Sequence, residues 1–315
     1  MRKIASTCLA AAITLIVAGP SASAAPAAQA VERAPIDLGA IPASRLRNDV
    51  ERLPAAARER ALQWLGSFDW HAADAEHLRA DRRGGIFYED PIRANGATAA
   101  TSGEPSIQGL PAAQVFSLHS RPGASRVVYL DMDGAVVSNT AWNSGTLTMR
   151  PYSIDGDFGT FTQAELDAIA ETWKRIAEDF APYDIDVTTE QPAAFGANVG
   201  HILVTRKASV EGPEIYSCGC GGVAYVGVWG GSNFPYYQPA LVFTDGVGTG
   251  PHNISEAASH ELGHNLGLSH DATSTQGYYG GHGSGNTKWG PIMGVGYYAQ
   301  VSQWSKGEYA DATQF

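Results

Sequence analysis

Leu166, Ile169, Trp173, Ile176 and Phe180 recur at alternating intervals of three and four residues. That spacing draws one apolar stripe down an amphipathic helix. Thr162-Gln163-Ala164-Glu165 stands ahead of the stripe with the reciprocal cap of a helix start, and Pro182 follows it, so a helix is predicted over 162–181. Elsewhere the apolar positions fall in short runs bounded by turn residues, which read as strands. They are RVVYLDMDG (Arg126 to Gly134), with Val127 to Leu130 as its buried part, then Ile185–Thr188, His201–Thr205, Val223–Trp229 and Ala240–Thr244. GIFYED (Gly85 to Asp90) reads as a further short strand. Two more helices are expected: one from Pro54 to about Gly66, with Leu62 and Leu65 on one side, and one from about Ile254, capped by Asn253. No segment repeats.

ANGATAATSGEPSIQGLPAAQ, residues 94–114, is a linker of small residues. It divides the chain into an N-terminal region, 25–112, and a main domain, 113–315, and is where a protease would nick it. Ahead of both, Arg2 and Lys3, the apolar Ile4 to Gly19 and Ala22-Ser23-Ala24 follow the order of a cleavable export signal over residues 1–24, bacterial in appearance. The apolar run is short for a membrane span, and no later run reaches about 18 apolar residues. The expectation is a secreted protein, extracellular or otherwise periplasmic, with no membrane association once the signal is cleaved.

A composition of 44% hydrophobic and 17% charged residues belongs to a folded globular chain, and 36 glycines point to a loop-rich one. The formal net charge of −11 becomes more negative without Arg2 and Lys3. It argues against nucleic acid or anionic lipid as the partner. Cys8 falls in the signal, which leaves Cys218 and Cys220 as a candidate disulfide. A bend at Gly219 must bring their Cα atoms within about 4.4–6.8 Å; without it, the pair would be two free thiols or a surface metal site.

The densest chemistry lies in HELGHNLGLSHD, His260 to Asp271. On a helix His260 and His264 are one turn apart on the same face, so their imidazoles can converge on one ion at about 2.0–2.1 Å. Glu261 is rotated by roughly 100°, offset from a ligand position but within reach of a water held by the metal. His270 joins only if the helix breaks: continued for six residues it would lie about 9 Å further along the axis. Gly267 sits where the chain must turn, and glycine accepts a left-handed cap at little cost.

This stretch resembles H-E-x-x-H-x-x-G-x-x-H, the signature of the metzincin zinc proteases, and Asp271 after the third histidine resembles the adamalysin, or reprolysin, branch. WGPIMGVGYY (Trp289 to Tyr298) resembles the methionine turn that metzincins place beneath the metal, with Met293 lying 23 residues after His270. GGVAYVGVWG (Gly221 to Gly230) resembles their cleft-lining edge strand, and the helix at 162–181 their backing helix. The resemblance spans roughly 113–315. It implies an α+β fold: a metzincin-like catalytic domain whose twisted mixed β-sheet carries a backing helix and an active-site helix, joined to a small N-terminal propeptide-like region. It further implies one catalytic Zn2+ on His260, His264 and His270, with Glu261 as general base and Gly267, Asp271 and Met293 as structural residues near the site. Val223, Ala224, Tyr225, Val226 and Gly227 are implied as the strand on which an extended peptide or protein substrate adds by main-chain hydrogen bonds. The implied activity is that of a monomeric, secreted zinc endopeptidase.

Two departures from the family pattern stand. Some metzincins carry a tyrosine two residues after the methionine, where this chain has Val295; Tyr297 and Tyr298 are given no catalytic role. Some are silenced by a propeptide cysteine on the zinc, yet no cysteine lies between residues 25 and 217. If 25–112 inhibits, a carboxylate such as Asp81, Glu89 or Asp90 could block the metal, as in another metzincin branch; surface charge is the preferred reading of each.

Competing chemistries are weaker. VVYLDMDGAV resembles the D-x-D-G motif of haloacid-dehalogenase-type phosphatases, with Asp131 and Asp133 presented by a strand; a strand-end turn is the plainer reading, and calcium a minor one. An inactive metzincin scaffold that only binds would carry the same residues, and so would an enzyme that hydrolyses a non-peptide amide. Asp155-Gly156-Asp157 is read as a turn, with a Ca2+ site as the second possibility. Asn253-Ile254-Ser255 fits a glycosylation sequon, though at a helix start. His71, His77, His119, His201, His252 and His282 lack ligand spacing and are read as structural or surface residues.

Overall fold

The computed structural model describes residues 34–91 and 107–313. The export signal expected at 1–24 and most of the expected linker lie outside the described residues. In chain order the elements are α1 (Arg45–Arg52), α2 (Ala55–Leu65), β1 (Leu78–Ala80), β2 (Ile86–Asp90), α3 (Ala112–Val115), β3 (Arg126–Asp131), β4 (Val136–Ser138), β5 (Thr146–Thr148) and α4 (Gln163–Phe180). They continue with β6 (Ile185–Thr188), β7 (Val199–Thr205), β8 (Gly222–Tyr225), β9 (Ala240–Phe243), α5 (Thr244–Val247), α6 (Pro251–Asn265), β10 (Trp289–Pro291) and β11 (Val301–Gln303). The chain is α+β, with one mixed sheet of seven strands in the order β1-β2-β8-β9-β7-β3-β6. Strands β9, β7, β3 and β6 are mutually parallel, while β8 and then β2 and β1 run antiparallel to their neighbours.

The two long helices cover one face of this sheet. Leu166, Ile169, Ile176 and Phe180 of α4 share a core with Ile254, Ala257, Ala258 and Leu262 of α6 and with Val128, Leu130, Ile202, Val204 and Val242 from the strands. The start of α4 is held as its sequence predicts. The Thr162 side chain accepts from the Glu165 amide, and the Glu165 carboxylate accepts from the Thr162 amide at 2.8 Å. The opposite face, with Leu203, Val223, Leu241 and Phe243, is covered by Val137 and Met149 of the β4–β5 region and by Ile215.

The N-terminal region builds a core of its own. Leu46, Val50, Ala57, Ala61 and Leu65 of α1 and α2 pack on Leu78, Ile86 and Tyr88 of β1 and β2, with Val226 the member of this cluster from beyond residue 112. Through β2 the region nevertheless extends the main sheet at β8. The strand expected to form the edge of the cleft is therefore covered. The expected boundary at 112 falls at the start of α3, close to a stretch held on α4: Gly109 donates to Asp167 at 2.8 Å, and Gln163 donates to the Leu110 carbonyl at 3.2 Å. Among the described residues no helix is long and apolar enough to cross a membrane.

Candidate metal centre and active site

Helix α6 begins at Pro251, with Gly250 as its cap, and residues 254–265 are all buried. This corrects the expected start at Ile254. A proline whose missing N–H costs nothing in the first turn opens the helix, and Asn253 donates instead to the Val247 carbonyl at 3.0 Å. The C-terminus ends as Gly267 requires. With φ at +95°, Gly267 donates to His264 O at 2.9 Å and Leu268 donates to Gly263 O at 2.9 Å, the paired bonds of a Schellman cap. That turn reverses the chain. It brings the His270 ring to 5.3 Å from His260 and 5.0 Å from His264, centre to centre, with 4.8 Å between the first two.

Each imidazole is oriented through Nδ1. His260 Nδ1 donates to Ile292 O at 2.7 Å and His264 Nδ1 to Leu268 O at 2.8 Å, while His270 Nδ1 is paired with Asp74 Oδ1 at 2.7 Å. Fixing one ring nitrogen fixes the tautomer, so the Nε2 atoms are turned inward as lone-pair donors. His260 Nε2 is buried with no hydrogen-bond partner. One atom from each of His260, His264, His270 and Asp90 falls within a cluster 4.8 Å across. Three imidazole nitrogens and a carboxylate gathered out of water are satisfied by a cation, and this donor set suits zinc.

Asp90 is the correction with the largest consequence. Neither it nor Glu89 is surface charge: Asp90 is 2% exposed and Glu89 is 7% exposed. Asp90 Oδ2 lies 3.3 Å from His260 Nε2 and 3.1 Å from His264 Nε2, and its Oδ1 lies 3.0 Å from His270 Nε2. Tyr278 donates its hydroxyl to Asp90 Oδ1 at 2.6 Å. Glu89 points the other way, to Arg45 at 2.8 Å, Arg79 at 3.0 Å and the Tyr216 hydroxyl at 2.7 Å. Asp81 accepts from the Gly85 amide at 2.8 Å and the Tyr225 hydroxyl at 2.9 Å.

The charges in this cluster are strongly mutual. Burial alone would raise the Asp90 pKa, yet His270, His264 and His260 hold it well below the usual carboxylate range. Burial lowers His264 to about 4 against the pull of Asp90. His270 is raised to about 9 because Asp90 and Asp74 outweigh its burial. Burial, and then the facing Asp90, push Glu261 well above the usual range.

Glu261 is fully buried and both its carboxylate oxygens lack a hydrogen-bond partner. It lies directly beneath β8: a Cβ on Gly222 would overlap its carboxylate, 2.6 Å from Cδ. Met293 lies under the helix, where a Cβ on Gly263 would meet its Cε at 3.2 Å. The same turn ties the cluster together, since Met293 O accepts from the Asp271 amide at 2.7 Å and Ile292 O accepts from His260. Asp271 is buried, and its Oδ1 accepts from Tyr309 at 3.3 Å.

Of the residues expected on the substrate strand, Val223, Ala224 and Tyr225 lie in β8, while Val226 and Gly227 lie beyond its end. Gly227, with φ at +65°, turns the chain and donates to His264 O at 2.8 Å. The alternation of a strand sends Gly222 and Ala224 toward α6 and Val223 and Tyr225 to the other face. The latter two join cores there. Cys218 and Cys220 form a disulfide with Cα atoms 5.2 Å apart.

The D-x-D-G motif sits elsewhere. Asp131, at the end of β3, is buried and bound to His201 at 2.9 Å, and Asp133 is raised to about 6 by burial and then by Asp131. Asp155 and Asp157 close turns on the amides of Asp157 and Gly159, at 2.8 Å and 2.9 Å, and this arrangement gives calcium no support. Asp74 and Tyr278 carry no signal of their own in the sequence. AADAEH and QGYYGG have no metal-binding spacing, and their place at the site comes from tertiary structure alone.

Residues 161–271 match the family model described as metallo-peptidase family M12B, reprolysin-like, and residues 240–314 match the model described as peptidase M66. No curated protein and no solved structure matches the chain.

Proposed function

This chain is a reprolysin-like metallopeptidase, a hydrolase of peptide bonds, and on that premise we propose a secreted zinc endopeptidase in which Glu261 is the general base. The observation that carries the reading is the convergence of three Nε2 donors, each with its other nitrogen tied down, beside the unpartnered carboxylate of Glu261. His260, His264 and His270 hold the ion; Asp74 and the Ile292 and Leu268 carbonyls hold the rings. When bound, zinc supplies a Lewis acid that polarises the scissile carbonyl and acidifies water.

Glu261 does the proton work. It takes a proton from the attacking water and returns it to the leaving amine. Burial, and then the facing Asp90, raise its basicity, and its place under β8 sets it beside a peptide lying along that strand. An extended substrate adds to β8 by main-chain hydrogen bonds, along the edge that β2 occupies in the full chain. Met293 and Asp271 keep the floor of the site in place and take no part in the chemistry. The protein acts outside the cell, as the signal expected at 1–24 implies.

Elemental analysis of the full chain is expected to find one zinc per chain. Cleavage of casein is expected to disappear with a chelator and return with added zinc. Hydrolysis that survives complete metal removal would overturn the reading.

A further inference from the structure

We propose that Asp90 is the fourth protein ligand of the metal centre, and that β2 is a resident substrate mimic that keeps the full chain closed. The inference rests on the zinc peptidase reading and names the regulation of that same site.

The distances are those of a coordination shell. In a tetrahedron of bonds near 2.0–2.1 Å, neighbouring donor atoms lie about 3.3 Å apart. Asp90 oxygens stand 3.0, 3.1 and 3.3 Å from the three Nε2 atoms. With the outer nitrogens of His260 and His264 donating to backbone carbonyls, their inner lone pairs face carboxylate lone pairs. A shared cation turns that opposition into attraction. A site with four protein ligands is closed, whereas a catalytic zinc site keeps one position for water or substrate.

The rest of the segment supports the same assignment. β2 runs antiparallel along β8 in the pairs Phe87–Tyr225, Tyr88–Ala224, Glu89–Val223 and Asp90–Gly222. It thus takes the edge on which a substrate would add, and ends over Gly222 and Glu261. Tyr88, on the same face as Asp90, stacks on His264 at 4.0 Å with the ring planes 19° apart. Tyr278 fixes the carboxylate, and Glu89 anchors the strand to Arg45 and Arg79 of its own region. The separate N-terminal core makes β2 part of a module able to hold this position as a unit. While β2 is in place, neither the strand edge nor an open coordination position is left for an incoming peptide, so the full chain cleaves only through the fraction in which β2 has lifted.

The test uses the full chain loaded with Co2+ in place of zinc, with azide as a probe of an open position. The wild-type visible spectrum is expected not to move at azide concentrations that shift the spectra of Asp90→Ala and Asp90→Asn. Casein cleavage by the zinc-loaded variants is expected to rise on the order of 10-fold or more, since removing an internal competitor raises the competent fraction. A wild-type spectrum that shifts with azide overturns the proposal. So do variants whose spectra stay closed while still binding one cobalt per chain. If both variants fail to bind cobalt, the wild-type measurement decides alone. Variants that open to azide without cleaving any protein support the ligand assignment and count against the peptidase reading.

Discussion

Glu261→Gln is expected to lower kcat for casein cleavage by about 10²–10⁴-fold, the range of a lost general base, and to leave zinc content unchanged. The substitution keeps the shape of a side chain that is fully buried between α6 and β8, and none of the three ring-nitrogen contacts that orient the histidines involves it. What it removes is a group able to accept a proton. The effect on folding has the opposite sign. Burial and Asp90 raise the Glu261 pKa in the folded chain, so the folded state binds its proton more tightly than the unfolded state does. Stability from this group is complete below the unfolded value and is lost as pH rises through the folded one. The neutral amide escapes that loss, so the metal-free variant should melt no lower than the metal-free wild type at neutral or higher pH. The comparison is best made in both the wild-type and Asp90→Ala backgrounds, by steady-state kinetics, elemental analysis and thermal melts. Substantial activity in Glu261→Gln would remove the general-base assignment.

How much of this site is legible in the sequence depends on the range of each interaction. His260, His264, Gly267 and His270 lie within one helix end, where spacing translates directly into direction, and the Schellman cap at Gly267 realises that geometry. The stripe on α4 and its cap at Thr162 are equally local. Helix α1 escapes a reading by periodicity because RLRNDVER holds only Leu46 and Val50 as buried positions, too short a pattern to show a period. The end of β8 is overrun by the same kind of reading because an apolar sequence continues past Tyr225, while Gly227 turns the backbone away.

Asp90 shows the limit most clearly. As a local feature it is the acidic end of a short strand, no different from Glu89 beside it. Its role comes from pairing opposite Gly222, far along the chain, and from an alternation that turns one of two adjacent carboxylates toward the histidines and the other toward Arg45 and Arg79. Asp74 and Tyr278 reach the same site across similarly long sequence separations. Hydrophobic patterning predicts which segments are strands; it does not state which strand completes the sheet over the active-site helix.

Gly222→Ala is expected to separate catalysis from metal binding. The added methyl group would overlap the Glu261 carboxylate. The overlap reaches back to Cγ, at 2.8 Å, in a side chain that is fully buried, so the methyl group is accommodated only by moving Glu261 out of the position required for proton transfer, at an overpacking cost of about 1–3 kcal/mol. A displacement of about 1 Å in a catalytic group can cost about 10²-fold in rate, and a fall in kcat of that order is expected with zinc stoichiometry nearly unchanged and a modestly lowered melting temperature. Gly267→Ala supplies the contrast. Its Cβ would meet only Gly227 Cα, at 3.6 Å, but φ at +95° strains any L side chain. The cost of a non-glycine residue in such a conformation is about 1–3 kcal/mol, and relief of that strain shifts the turn that carries His270. This variant should lose stability and zinc affinity together, read by thermal melts and competition with a chelator. Gly222→Ala with full activity would mean that Glu261 does not work from the position it occupies under β8.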